Sequence, residues 1–182
     1  MSLSLNFIVL DFVTANAKRY SACSLALTVI RNSQVVDEFY TLIKPDTPFS
    51  WRNEQIHGIH TQDVATAPDF PTVWPHIASF FQRDRLVIAH NATFDNSVLK
   101  NTLAHYQIQQ PTYLTLDTLR TSRQLLPDLP NHKLNTVCEA LQIDLEHHHN
   151  ALDDSLACAN ILLYQLQQFG PTALKQYVKL IG

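Results

Sequence analysis

Four short stretches of the chain carry side chains that could act together chemically. Asp11 lies within Phe7-Ile8-Val9-Leu10-Asp11-Phe12, a run so apolar that a carboxylate there must be hydrogen-bonded, paired or metal-bound. Ala89-His90-Asn91-Ala92-Thr93-Phe94-Asp95 follows a predicted strand and opens a predicted helix, a junction that holds side chains rigidly at a sheet edge. His149-Asn150-Ala151-Leu152-Asp153-Asp154 sets a histidine just before a helix, with Asp154 five residues on and about one turn inside it. His57-Gly58-Ile59-His60 sits in a long irregular excursion and holds one of only three glycines. Each stretch has an ordinary structural account. Asp11 can accept backbone hydrogen bonds at a strand end, Asn91, Thr93 and Asn150 can cap helices, Asp153 suits a helix dipole, and Gly58 suits a turn. Their placement is more informative, because Asp11, Asp95 and Asp154 fall at the ends of three separate elements and would meet at one sheet edge. Carboxylates gathered there are oxygen ligands for hard divalent cations, and a histidine such as His149, with an ordinary pKa near ~6.5, can move a proton near neutral pH.

Hydrophobic period predicts the elements that must position these residues. Leu5 to Val13 is almost continuously apolar and β-branched or aromatic, as in a central strand buried on both faces. Ser21 to Ile30 and Gln34 to Ile43 are two further strands, and Arg31-Asn32-Ser33 between them has hairpin length, so the three form an antiparallel meander. Lys44-Pro45-Asp46-Thr47-Pro48 ends the meander, and Phe49 to Ala67 is irregular except for a short helical segment at Thr61 to Ala65. Pro71 opens a helix with Val73, Trp74, Ile77, Phe80 and Phe81 on one face, and Arg85 to His90 is a short buried strand. Thr93 to Tyr106 is helical, Tyr113 to Leu116 is a fifth strand, and Thr118 to Leu126 is a helix stopped by Pro127 and Pro130. Lys133 to Gln142 and Asn150 to Phe169 are helical by period, and Gly170-Pro171 separates the latter from a last amphipathic segment ending near Leu180. The order predicts an α/β fold of ribonuclease H-like architecture: one mixed five-stranded sheet, an antiparallel meander beside parallel crossover strands, flanked by helices.

Length and composition narrow the class further. At 182 residues and 46% hydrophobic content the chain suits a single domain, residues 1–182, with a substantial core. Charged residues make up 16%, below the roughly 25% of average domains, yet no apolar run nears the ~18 residues of a membrane span. Disordered and transmembrane classes are thereby excluded. Asp11 breaks the apolar stretch at the N-terminus, no basic region precedes it and no small-residue cleavage site follows, so a signal peptide is not expected. Cys23, Cys138 and Cys158 form no CxxC pair, and their odd number suits reduced thiols in a cytoplasmic protein without a membrane partner. Thirteen Lys and Arg against sixteen Asp and Glu, a net charge of -3, argue against a broad basic face for duplex nucleic acid. An enzyme that holds phosphate through divalent ions is still compatible, since its clustered carboxylates lower the net charge.

On these motifs the chain resembles the DEDDh family of 3′-to-5′ exonucleases, which includes the epsilon proofreading subunit of bacterial DNA polymerase III, from about Phe7 to Leu166. The family pattern is Asp-x-Glu followed commonly by Thr, then Asn-x-x-Phe-Asp, then His with Asp five residues later. The chain has Asp11-Phe12-Val13-Thr14, Asn91-Ala92-Thr93-Phe94-Asp95, and His149 with Asp154. The resemblance implies hydrolysis at the 3′ ends of single-stranded nucleic acid, DNA foremost, with two Mg²⁺ or Mn²⁺ ions ~3.5–4 Å apart. It assigns Asp11 to both ions, Asp154 to the water-activating ion, Asp95 to the second ion directly or through water, and proton abstraction to His149. Thr14, His57, Asn91 and Phe94 would hold the terminal nucleotide, with His57-Gly58-Ile59 similar to the family loop that lines it. His147 and His148 have no place in the pattern. Exposed loop positions are expected for two of the three histidines, with a dedicated zinc site as the weaker alternative.

The chain departs from the family at Val13, where the pattern requires Glu. Alternation along a strand points residues 11 and 13 to the same side, so Val13 sets an apolar group where the water-activating ion needs a carboxylate, and no nearby acid substitutes. Impaired turnover is the expectation. Two readings compete: an exonuclease with weakened or Mn²⁺-dependent turnover, and an inactive exonuclease-fold module that binds nucleic-acid ends or a protein partner. Retention of Asp11, Asp95, His149 and Asp154 together favours the first. An interaction or small-molecule domain on the same fold is a distant third. Because the sequence ends soon after its last helix, a stand-alone trimming nuclease is expected over an attached proofreading subunit.

Overall fold

The computed structural model describes residues 6–182, so Leu5, expected to open the first strand, lies outside it. The meander forms as expected from β1 (Phe7–Thr14), β2 (Ala22–Arg31) and β3 (Gln34–Leu42), each pair antiparallel. Asn32 and Ser33 turn the β2–β3 hairpin with φ of 51° and 63°, the two positive values that a two-residue primed turn demands. After α1 (Trp51–His57) and α2 (Phe70–Ile77), the strand β4 (Leu86–Ala89) lies parallel to β1. Then α3 (Ala92–His105) crosses over to β5 (Tyr113–Asp117), parallel to β4. Helices α4 (Thr118–Leu125), α5 (Leu134–Leu141) and α6 (Ala151–Lys175) follow, the last broken at Gly170 with φ 77° beside Pro171, where the sequence places a separation.

Three elements differ from expectation. The sheet has six strands in the order β3-β2-β1-β4-β5-β6, because β6 (Lys179–Ile181) pairs antiparallel with β5. Three residues are too few to display a period of two, so this strand exists through the edge that recruits it. The helix α1 occupies part of the excursion read as irregular. None of its residues is buried, so no apolar stripe marks it, and it is defined by its ends: Ser50 accepts from the Asn53 N–H, and Gly58 stops it at φ 71°. Conversely, Thr61 to Ala65 is a run of turns, not a helix. Its bonds, such as Ala65 N–H to the Gln62 carbonyl, span three residues and never extend into an α ladder.

The alternation along β1 distributes its side chains between two cores. Phe7 and Val9 pack with Ile161 and Leu162 of α6, whereas Ile8, Leu10 and Phe12 pack with Val98 and Leu99 of α3. Residues 11 and 13 therefore continue the face toward α6. The last β1–β4 pair is Val9 with Ile88, so β1 runs on beyond the end of β4 and a crevice opens at the carboxyl ends of the parallel strands. Open α/β sheets bind ligands at such ends. Among the described residues no helix is long and apolar enough to cross a membrane.

The start of α6 sets the position of Asp154, and Asn150 defines that start by accepting from the Leu152 and Asp153 N–H groups. Asn150→Ala is expected to lower unfolding free energy by about 1 kcal/mol in urea titrations, with Asn150→Ser close to wild type.

Candidate active site

The crevice brings three carboxylates together from three elements. Asp11 is half-buried on β1, opposite the small side chain of Ala26 on β2. Asp95, in the first turn of α3, is 2% exposed and its Oδ1 accepts the Phe12 N–H at 2.8 Å. That amide lies beyond the end of β4, so a side chain completes the hydrogen bonding that a strand would have supplied. Asp154, in the first turn of α6, is 7% exposed; its Oδ2 accepts the His149 N–H at 3.1 Å and its Oδ1 accepts from His148 Nδ1 at 3.0 Å. With Val13, Thr14, His57, Phe94 and His149, the three acids line one cavity of about 300 Å³.

The electrostatics of this cavity are those of carboxyls held in the protonated direction by burial. Among the described residues no lysine or arginine is in ion-pairing range of any of the three acids. Burial, and then the charges of Asp95 and Asp154, hold the Asp11 carboxyl well above the usual carboxylate range. Asp95 is pushed up to about 8, chiefly by burial and further by Asp117, against the opposing effects of the Phe12 N–H and Arg19. Burial also raises Asp154, partly offset by His148. Oxygens that resist ionisation because they are buried without a lysine or arginine in range among the described residues fit a divalent cation, which supplies compensating charge.

The other residues singled out by sequence have distinct surroundings. His149 is exposed, with a left-handed φ of 74°, and its backbone bond to Asp154 ties it to that carboxylate. Burial and the neighbouring His148 lower its pKa, which favours the neutral ring. His57 donates from Nε2 to the Thr14 carbonyl at 3.2 Å and accepts the Ile59 N–H at Nδ1, so it faces the cavity as a neutral ring with both nitrogens engaged. Thr14 is buried and lines the cavity, and Phe94 is a half-buried part of its wall. Asn91 does not line the cavity. It is exposed at the start of α3 with φ 72°, makes no side-chain cap, and its N–H donates to Asp117 Oδ1.

Sequence reasoning missed Asp117 and Arg19, and left His148 without a place in the pattern. Asp117 ends β5 and caps α4, accepting from both the Asn91 and Leu119 N–H groups, and so joins two of the elements that frame the crevice. An acid between an apolar strand and a helix start was the available signal. Arg19 sets its guanidinium over the Phe94 ring, 4.6 Å from the centroid, and no spacing in the sequence connects the two. His148 bonds Asp154, where the family pattern draws attention only to His149. At the departure from that pattern, Val13 lies on the Asp11 face and pairs across the sheet with Ser24. Ser24 is fully buried, and its hydroxyl interacts with the Tyr40 hydroxyl.

Comparison with known proteins agrees with this geometry. A family described as Exonuclease matches residues 9–162. A PolC-type DNA polymerase III of Caldanaerobacter subterraneus subsp. tengcongensis is 32% identical over 176 residues, covering 96% of this chain. The chain spans only 12% of the length of that relative. Exonuclease X in complex with 5′ overhanging duplex DNA superimposes with a TM-score of 0.77 at 21% identity, over 94% of this chain and 98% of that one. The nuclease domain of 3′hExo, a DEDDh family member bound to rAMP, gives a TM-score of 0.79 at 17% identity, over 93% and 96% of the two chains. At these identities the superpositions establish a common fold.

The raised pKa of Asp95 has a consequence for stability. The folded protein retains near pH 8 a proton that the unfolded chain releases near ~3.9, so this group's contribution weakens as pH rises through that window. Asp95→Asn preserves the acceptor for Phe12 but does not titrate. In metal-free buffer it is expected to raise Tm by several degrees at pH 8 and to have little effect near pH 4, as read by calorimetry.

Proposed function

The chain belongs to the exonuclease family, and on that premise we propose that it is of the DEDDh type and hydrolyses phosphodiester bonds at the 3′ ends of single-stranded nucleic acid, DNA foremost. The observation that carries this reading is the convergence of Asp11, Asp95 and Asp154 in one cavity without a lysine or arginine partner. Asp11 and Asp154 would hold one divalent ion, and Asp11 with Asp95 a second, each Mg²⁺ or Mn²⁺. When bound, such ions lower the pKa of water and stabilise charge on the scissile phosphate and leaving 3′ oxygen.

The remaining roles belong to the protein's own groups. His149, neutral near pH 7 because burial and His148 lower its pKa, accepts the proton of the attacking water. Its N–H bond to Asp154 keeps this base beside a ligand carboxylate. Phe94, steadied by Arg19, offers a ring face for the terminal nucleotide to stack on, and His57 offers its ring because both nitrogens are engaged elsewhere. Thr14 contributes polar contact from the cavity wall, and Asn91 would meet the strand outside the cavity, at the start of α3. Three free, buried cysteines accord with a cytoplasmic location.

Val13 favours a second reading, an exonuclease-fold module that binds nucleic-acid ends or a protein partner without cutting. One experiment separates the two: a 5′-labelled single-stranded oligonucleotide incubated with Mg²⁺ or with Mn²⁺, beside Asp154→Ala. A ladder shortened from the 3′ end and absent in the variant is expected, whereas binding without cleavage by wild type assigns the second reading. Val13→Glu is expected to raise turnover in Mg²⁺ at least ~10-fold, about 1.4 kcal/mol of barrier. The new carboxylate would lie across the sheet from the Ser24 hydroxyl.

A further inference from the structure

Three consecutive histidines precede α6, and the structure treats them differently. His147 turns outward, 73% exposed, with its Nδ1 2.9 Å from Asp153 Oδ2. His148 turns inward: its side chain is 31% exposed, its Nδ1 lies 3.0 Å from Asp154 Oδ1, and its ring stacks on His149 with centroids 3.9 Å apart. His148, His149 and Asp154 each present a ligand atom within 4.8 Å of the others. A second cavity of about 250 Å³, lined in part by Tyr40, His57 and these histidines, gives the group access to solvent.

The Nδ1–Oδ1 separation is informative about an ion. Two adjacent ligands on an octahedral ion, each at ~2.1 Å, are themselves about 3.0 Å apart. The His148–Asp154 pair is hydrogen-bonded at that same separation, and with His149 it offers three ligand atoms within 4.8 Å of one another. Asp154 is also the acid whose ion lacks a carboxylate at Val13.

We propose that His148 Nδ1 is a ligand of the ion held by Asp154, in place of the missing carboxylate, and that the site thereby selects a divalent transition-metal ion such as Mn²⁺ or Zn²⁺ over Mg²⁺. This rests on the reading of Asp154 as a metal ligand. Mg²⁺ demands oxygen ligands and near-ideal octahedral geometry, whereas imidazole nitrogen suits first-row transition ions. On binding, Nδ1 gives up the hydrogen it donates to Asp154, and Nε2 carries the ring proton, leaving a neutral imidazole. The proximity of His149 then permits a second nitrogen at the same ion when no substrate is present.

The test uses the full chain, freed of metal and titrated with Mn²⁺ while the free-ion EPR signal is followed, with pulsed EPR of the bound ion reading nitrogen coupling. Wild type is expected to bind Mn²⁺ at least ~10-fold more tightly than Mg²⁺ and to show imidazole coupling. His148→Ala should weaken Mn²⁺ binding ~10-fold and diminish the coupling with Mg²⁺ affinity nearly unchanged, while His147→Ala behaves as wild type. Unchanged Mn²⁺ affinity and coupling in His148→Ala, or tighter binding of Mg²⁺ by wild type, overturns the proposal whether or not the protein cuts DNA. Mn²⁺ held through His148 in a protein that leaves oligonucleotides intact sustains the proposal and overturns the nuclease reading.

Discussion

Burial of Asp11, Asp95 and Asp154 at one sheet edge is the constraint around which the molecule is built. Each is removed from water to some degree, each resists ionisation, and none has a lysine or arginine within ion-pairing range among the described residues. The fold tolerates this by fixing the acids from three independent directions. A central strand fixes Asp11, an amide stranded beyond the end of β4 fixes Asp95, and the first turn of a capped 25-residue helix fixes Asp154. The two hydrophobic cores on either face of β1 supply the rigidity that holds like charges together.

Where the sheet stops is as important as what it contains. Had β4 continued two residues further, a backbone carbonyl would have met the Phe12 amide and Asp95 would have had no reason to enter the sheet edge. The short strand thus makes the crevice and recruits its second acid. Asp117 performs a related task at the end of β5, tying the start of α3 to that of α4 through two amides. The result is a mixed sheet of ribonuclease H-like type whose charged side chains collect at one end.

Val13 disturbs this balance at one point and shows how local the disturbance is. It faces the buried Ser24, whose hydroxyl interacts with Tyr40. Val13 shares its cavity with three acids and a ring-lined wall. His148 bonds Asp154 from the side of a second cavity, one that Val13 does not line.

Much of this was legible in the chain itself. An apolar run interrupted by Asp11, the Asn91 to Asp95 junction and the His149 to Asp154 spacing identified the three acids, because strand and helix periods are local and ordering elements along a chain constrains which ends can meet. Five of the six strands were readable for the same reason. The rest depends on contacts that hydrophobic period does not encode. β6 exists because β5 offers it an edge, and α1 because its two ends are capped while nothing buries its side chains. Arg19 meets Phe94 and His148 meets Asp154 through loop paths that no periodicity encodes. The sequence by itself determined which acids the protein has and at which element ends they stand. Only the tertiary structure decided which amides, rings and imidazoles surround them, since local propensity carries no information about where two loops cross.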